Sequence, residues 1–196
     1  MIEWTREALV GLETSPIPRP EQPRRFDIVF LDRDGTLNVH RPGYVERADD
    51  LVMLEGASEA VAQLASLAAR IVLVTNQRGI ARGLMSLDDL AAVHARLIEE
   101  LSLAHAHLDA IEVCPHEVGE CECRKPLPGQ LLRAFARMPW ADPAKCLLFG
   151  DQDSDLEAAA RAGVPSMRVR GDNNLKTRVR QLGDGRHTEH GMVLPS

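Results

Sequence analysis

The stretch Phe26-Asp-Ile-Val-Phe-Leu-Asp32-Arg-Asp34-Gly-Thr-Leu37 decides the reading of the fold. Its opening run, Phe26–Leu31, is short, mostly apolar and rich in Ile, Val and Phe. A strand buried on both faces of a sheet has this character. The run stops at an acid. On leaving a strand, side chains at i and i+2 share a face, so Asp32 and Asp34 point into one site. Gly35 lets the chain turn sharply there. Two close carboxylates repel unless something neutralises them, and Mg²⁺ is the usual answer.

The same pattern recurs downstream. Ala57–Ala69 carries helical spacing, and Ile71–Val74 is a β-branched run ending at Thr75. Ser86 opens a second helix with Asp89 three residues on, a capping-box arrangement. Ala110–Val113 and Cys146–Phe149 read as further strands, ending at Cys114 and at Gly150-Asp151. Pro128–Met138 reads as a helix with Leu131, Leu132 and Phe135 facing inward. Asp155–Ala162 reads as another, stopped by Gly163. Met167–Val169 is expected to be an edge strand, and Leu175–Leu182 a last helix. Alternation of this kind predicts an α/β fold, a Rossmann-like parallel sheet of five or six strands with helices on both faces. Residues 1–25, with Pro16, Pro18, Pro20 and Pro23, read as an extension that holds a short helix within Glu3–Leu12. Residues 26–183 form the single domain and 184–196 a loose tail.

In such a sheet, ligands bind beyond the carboxyl ends of the strands. Asp32, Thr75, Cys114 and Asp151 occupy those ends. Asp153 and Asp155 stand behind Asp151, so the edge is rich in carboxylate oxygen and suits Mg²⁺ better than zinc.

At this point the chain resembles a known family. Asp32-x-Asp34-Gly-Thr, Val74-Thr75-Asn76-Gln77, Arg124-Lys125-Pro126 and Gly150-Asp151-x-x-x-Asp155 are similar, as an ordered set, to the four motifs of the haloacid dehalogenase (HAD) superfamily. The resemblance implies phosphoryl transfer. It makes Asp32 a nucleophile that forms an aspartyl-phosphate, and Asp34 the general acid and then base. Thr75 and Lys125 hold the phosphoryl group. Mg²⁺ is bound by Asp32, the Asp34 carbonyl and Asp151, with Asp155 behind them or bonded to Lys125.

Cys114-x-His116-x₄-Cys121-x-Cys123 offers three thiolates and an imidazole, a full tetrahedral set for structural zinc. In a chain with no other cysteine pattern this favours metal over a disulfide framework. Cys146 reads as an inert core residue. Arg124 and Lys125 follow Cys123 directly, so the zinc is expected to fix these two cations over the phosphate.

Only 40 positions lie between Asp34 and Thr75, and the second gap is filled by a helix, a strand and the zinc loop. Neither gap houses a cap domain. The capless zinc-loop branch (subfamily IIIA) resembles phosphatases of D-glycero-D-manno-heptose 1,7-bisphosphate and of histidinol phosphate. Gly43-Tyr44-Val45 and Asn76–Gly83 favour the heptose type. By that analogy, substrate contacts map to His40, Gly43, Tyr44, Asn76, Gln77, Arg78 and Arg124. One position departs. Gln152 stands where heptose enzymes usually carry Lys, and Arg41, Arg78 or Arg124 is expected to compensate. A non-catalytic zinc-stabilised module would lack the nucleophile, acid or lysine, and all are present.

Composition bounds the partners. The chain has 196 residues and a formal charge of −6, with 4% aromatics. That balance argues against broad nucleic-acid or anionic-membrane binding. No apolar run spans a bilayer, and the first residues lack a basic region leading into an apolar segment. The expectation is a cytoplasmic monomer acting on a small phosphate ester. His94, His105 and His107 read as solvated, as does the basic group Arg168, Arg170, Lys176, Arg178 and Arg180.

Overall fold

A computed structural model describes residues 4–183 and 192–194. A short helix α1 (Arg6–Leu9) leads into β1 (Phe26–Leu31). Then follow α2 (Ala57–Leu67), β2 (Ala68–Asn76), α3 (Leu87–Leu103) and β3 (Ala110–Cys114). The second half contains α4 (Gly129–Arg137), β4 (Leu147–Gly150), α5 (Asp153–Arg161), β5 (Ser166–Arg168), α6 (Leu175–Gly183) and β6 (Met192–Val193). The sheet order is β3-β2-β1-β4-β5-β6, parallel throughout except for β6. Among the described residues there is no cap domain, and no helix is long and apolar enough to cross a membrane.

Strand alternation sorts the core into two layers. Val29, Leu31, Ile71, Leu73, Leu147 and Phe149 face the layer that holds α2, α3 and α6. Ile28, Phe30, Val72, Val74 and Leu148 face the layer that holds α4 and α5. Both faces are covered, which is why the strands read as continuous apolar runs. The chain moves outward from β1 through β2 to β3, then returns to place β4 on the other side of β1. Such a reversal opens a crevice at the carboxyl ends of the central strands.

Several boundaries differ from the sequence reading. The helix expected over Ala57–Ala69 ends at Leu67, because Ala68 pairs with Phe26 and Arg70 with Ile28. Sheet pairing there overrides the helix propensity of alanine. Leu132 is 52% exposed rather than inward, since α4 buries Leu131 and Ala134 instead. β5 is not an edge strand, because β6 pairs with it through Ser166–Val193 and Met167–Met192. Those two β6 residues, like the exposed Leu194 after them, fall within the stretch read as a loose tail; residues 184–191 and 195–196 of that stretch lie outside the described residues. The basic group is also not uniformly solvated. Arg168 pairs with Asp153 and donates to the Asp151 carbonyl, and Arg178 donates to the Arg168 carbonyl.

His94 is the largest correction among single residues. It is fully buried, while His105 and His107 are exposed. Its place on the inner stripe of α3, one residue after Val93 and three before Leu97, puts it in the core layer.

Candidate active site

A cleft of about 260 Å³ opens at the carboxyl ends of β1 and β2. It is lined by Asp32, Asp34, Thr75 and Lys125, together with His40, Gly43, Tyr44, Asn76, Gln77 and Arg124. Arg41, Val45, Gln152, Ser154 and Asp155 complete the lining. Arg78 is not in the lining. It is ion-paired with Glu117 of the cysteine loop, which Arg82 also meets.

Lys125 is buried at the centre. Its Nζ donates to Asp32 Oδ1 at 2.6 Å and to the Val74 carbonyl at 2.9 Å, and it meets Asp155 Oδ1 at 2.6 Å. Three donors are thereby used on three acceptors. Burial disfavours charge on every member of this group. For Lys125 the Asp155 and Asp32 carboxylates outweigh burial and hold the ammonium well above its ordinary value. For Asp32 burial prevails over the pull of Lys125 and lifts the carboxyl to about 8, with Asp155 and Asp34 adding repulsion. The two directions agree in charge. One ammonium serves two carboxylates, so negative charge is left over.

Asp151 adds to that excess. Oxygens of Asp32, Asp151 and Asp155 all lie within 4.8 Å of one another. Asp151 Oδ1 is buried with no hydrogen-bond partner, while Gln152 Nε2 donates to Oδ2. Burial raises the Asp151 carboxyl too. A buried, orphaned carboxylate oxygen beside two other acids fits a hard divalent cation. The backbone keeps the space for it. Gly35 has φ of +85°, and a Cβ there would lie 2.4 Å from Asp151 Oδ2. At Gly150 a Cβ would lie 2.4 Å from Asp155 Cβ.

Asp34 is held differently. Arg33 Nη2 donates to both of its oxygens, at 3.0 and 2.9 Å, and Asn38 Nδ2 donates to Oδ1 at 2.9 Å. Gln77 Nε2 reaches Oδ2 at 3.2 Å and Thr75 Oγ1 at 2.7 Å. Burial works against ionisation here as well, but Arg33, Asn38 and Gln77 together outweigh it and keep the carboxyl below the usual range. So two acids two residues apart are pushed in opposite directions, Asp32 up by burial and Asp34 down by the donors around it.

The amide of Asn76 is committed to the chain. Its Nδ2 donates to the Lys125 carbonyl and its Oδ1 accepts from the Lys125 N–H, at 3.0 and 3.1 Å. Gln130 Nε2 ties the same Oδ1 to the Cys123 carbonyl. These contacts brace the Lys125 backbone from β2, a support the sequence did not reveal. Arg33, Asn38, Gln130 and Glu117 were also missed. A lone arginine between two acids was the available signal for Arg33, while the other three act through tertiary placement alone.

Beyond β3 the cysteine cluster closes on itself. Cys114 Sγ lies 3.5 Å from Cys121 Sγ, Cys121 3.4 Å from Cys123, and His116 Nδ1 3.3 Å from Cys123. All four cysteines are free thiols. Ligands about 2.3 Å from a tetrahedral zinc stand about 3.8 Å apart, so these spacings fit a metal wrapped by the loop. The nearness of Cys114, then of Cys121 and His116, pulls the Cys123 thiol down to about 4, and the nearness of Cys123 pushes Cys114 up. Cys146 is buried behind the sheet, its thiol pushed up to about 12 by burial, as expected of an inert residue.

Known proteins resemble this chain. A family model for haloacid dehalogenase-like hydrolases matches residues 24–163. The D-glycero-beta-D-manno-heptose-1,7-bisphosphate 7-phosphatase of Rhodopseudomonas palustris is 37% identical over 159 residues, 77% of this chain and 87% of its own. The D-glycero-alpha-D-manno-heptose-1,7-bisphosphate 7-phosphatase of Mycobacterium tuberculosis is 39% identical over 150 residues, 73% of this chain and 79% of its own. A crystal structure of D,D-heptose 1,7-bisphosphate phosphatase from B. bronchiseptica, complexed with magnesium and phosphate, superposes with a TM-score of 0.75. It is 34% identical and covers 81% of this chain and 99% of that one.

Proposed function

The chain belongs to the haloacid dehalogenase-like hydrolases, and from that premise we propose that it is a Mg²⁺-dependent phosphatase that removes the C7 phosphate of D-glycero-D-manno-heptose 1,7-bisphosphate through an aspartyl-phosphate. The carrying observation is the buried trio of Asp32, Lys125 and Asp155 with the orphaned Asp151 oxygen beside it. That set suits a site built to receive an anionic ester together with a cation.

The chemistry follows from the placement. Asp32 Oδ1 is pinned by Lys125, which leaves Oδ2 to attack phosphorus as the ester P–O bond breaks. Lys125 screens the charge of the arriving phosphate, and Thr75, whose Oγ1 accepts from Gln77, can donate its own proton to a phosphoryl oxygen. Asp34 takes up a proton as the phosphate brings negative charge beside it, and passes that proton to the leaving alkoxide. In the second half Asp34 accepts a proton from water, water attacks phosphorus, and the Asp32–phosphorus bond breaks to release inorganic phosphate. Mg²⁺, held by Asp32, the Asp34 carbonyl and Asp151, would offset the repulsion between two anions. Zinc in the Cys114–Cys123 loop would be structural.

One arginine of the three expected to compensate is left to support a small doubly charged substrate. Gln152 supplies no charge, and its amide is turned to Asp151. Arg78 is paired with Glu117, and Arg41 lines the cleft but pairs with Asp50 at 2.5 Å. Arg124 lines the cleft with a buried, unpartnered Nη1. Arg124 therefore compensates for the missing lysine. The reading takes the enzyme to act as a cytoplasmic monomer on a free metabolite.

The test is phosphate release from heptose 1,7-bisphosphate, histidinol phosphate and mononucleotides in parallel, with Asp32→Asn as control. Preference for the heptose ester is expected. Preference for histidinol phosphate overturns the substrate, and activity retained in Asp32→Asn overturns the mechanism.

A further inference from the structure

The residues of α1 and those between it and β1 do more than precede the domain. The segment runs along β3, an edge of the sheet, and Gly11 lies so close that a Cβ would come within 2.6 Å of Val113 N. Arg137 Nε donates to the Ser15 carbonyl and Trp140 Nε1 to the Ile17 carbonyl, so the segment is fastened along its length. An edge strand left bare would offer its unpaired backbone to other chains. That explains the covering. It does not explain one contact made at its inner end.

The Leu9 carbonyl meets His94 Nδ1 at 2.6 Å, and His94 Nε2 meets Arg33 Nη1 at 3.2 Å. Arg33 has donors only, so Nε2 accepts and Nδ1 carries the ring proton to Leu9. Arg33 and His94 are both fully buried. The guanidinium is thus fixed at two ends, by His94 behind it and by the Asp34 carboxylate before it. Asp34 alone of these groups faces the cleft.

We propose that His94 is a positioning residue for Asp34, acting through Arg33, and that the Leu9 carbonyl of the N-terminal segment sets the ring's tautomer and orientation. The inference rests on the phosphatase reading above and deepens it. A bidentate fork transmits angular error, so a guanidinium freed at one end would let the acid drift from the leaving oxygen. Drift should matter where the leaving group needs a proton. In the first half-reaction it should matter little where the leaving group departs as a stable anion, while the later attack of water, which Asp34 also serves as base, is common to both kinds of substrate.

The experiment uses the full chain with its metals and two substrates. Heptose 1,7-bisphosphate releases a primary alkoxide, whereas p-nitrophenyl phosphate releases a phenolate. His94→Asn keeps a donor for Leu9 but loses the acceptor for Arg33. His94→Gln keeps the acceptor. We expect His94→Asn to slow the first half-reaction on the heptose ester, read as rapid-quench release of the dephosphorylated sugar, roughly tenfold or more, with the pre-steady-state burst of p-nitrophenolate within about twofold, and His94→Gln to recover most of the loss. Equal loss in the two first half-reactions, or equal behaviour of the two variants, overturns the proposal. Asp32→Asn must be inactive on both; activity there defeats the phosphatase mechanism instead. Independently of folding in the variants, ¹⁵N NMR of the intact protein should show His94 protonated at Nδ1. An Nε2–H tautomer overturns the proposal whatever the kinetics.

Discussion

Replacing Lys125 by methionine keeps the apolar stem and removes only the ammonium. The consequence can be worked from the contacts. Lys125 meets Asp32 and Asp155 at 2.6 Å each, and all three side chains are buried. Without it two carboxylates face each other with oxygens within 4.8 Å. At an effective dielectric near 20 their repulsion is about 3 kcal/mol. Breaking a buried pair by removing one partner costs about 3–5 kcal/mol, in agreement. For a chain of this size that is a fall in Tm of roughly 10 °C. The variant escapes by binding a proton on one carboxyl. A carboxyl raised in the folded state makes the fold bind more protons than the unfolded chain, so stability drops as pH rises. The deficit should therefore be larger at pH 8 than at pH 5.5, and Mg²⁺ should restore part of it. kcat should fall by roughly 10²–10³ from lost charge stabilisation. Thermal melts at both pH values, with and without Mg²⁺, and steady-state kinetics supply the readings. A melting point and kcat close to those of the unaltered protein would refute the assignment of Lys125 as the hub of the site.

Three further outcomes follow from the same contacts. Burial, followed by the Arg33 charge, lowers His94 to about 3, so the fold excludes a proton that the unfolded chain binds below about 6.5. Stability is then lost as pH falls below that value, by about 2 kcal/mol at pH 5. His94→Gln should flatten this part of a Tm–pH curve, and parallel curves would contradict the buried neutral imidazole. Gly35→Ala forces a side chain at φ +85° and pushes on Asp151 Oδ2; its Mg²⁺ requirement, measured by titrating activity, should rise roughly 10–100-fold with a Tm loss of only a few degrees. Cys123→Ala should lower activity while the core still melts cooperatively, because Arg124 and the Glu117–Arg78 pair lose their anchor; full activity in a folded, zinc-free variant would show that the loop is dispensable.

Much of this site was legible because its chemistry is local in sequence. Asp32 and Asp34 sit two apart after an apolar run, and strand geometry alone brings them to one edge. The cysteine loop was legible for the same reason, since four ligands within ten residues have few other ways to fold. What escaped was tertiary. Asn76 looks like a substrate contact from its motif, yet its amide braces the Lys125 backbone. His94 looks like any polar residue on a helix, yet its stripe faces the core and a buried guanidinium waits there. Leu132 sits one residue from the buried Leu131, too close for helical spacing to decide which of the two faces inward. The β5 edge was misjudged because its partner strand is two residues long and carries no pattern of its own.

The central claim is that Asp32 becomes covalently phosphorylated. Acid-quenched turnover of a radiolabelled phosphate ester, followed by borohydride reduction of the acyl phosphate and peptide mapping, tests it directly. The account predicts label on the protein that is chased by excess unlabelled substrate, a reduced residue at position 32, and neither in Asp32→Asn. Turnover with no trapped acyl phosphate, or a reduced residue at Asp34, Asp151 or Asp155 instead, would contradict it.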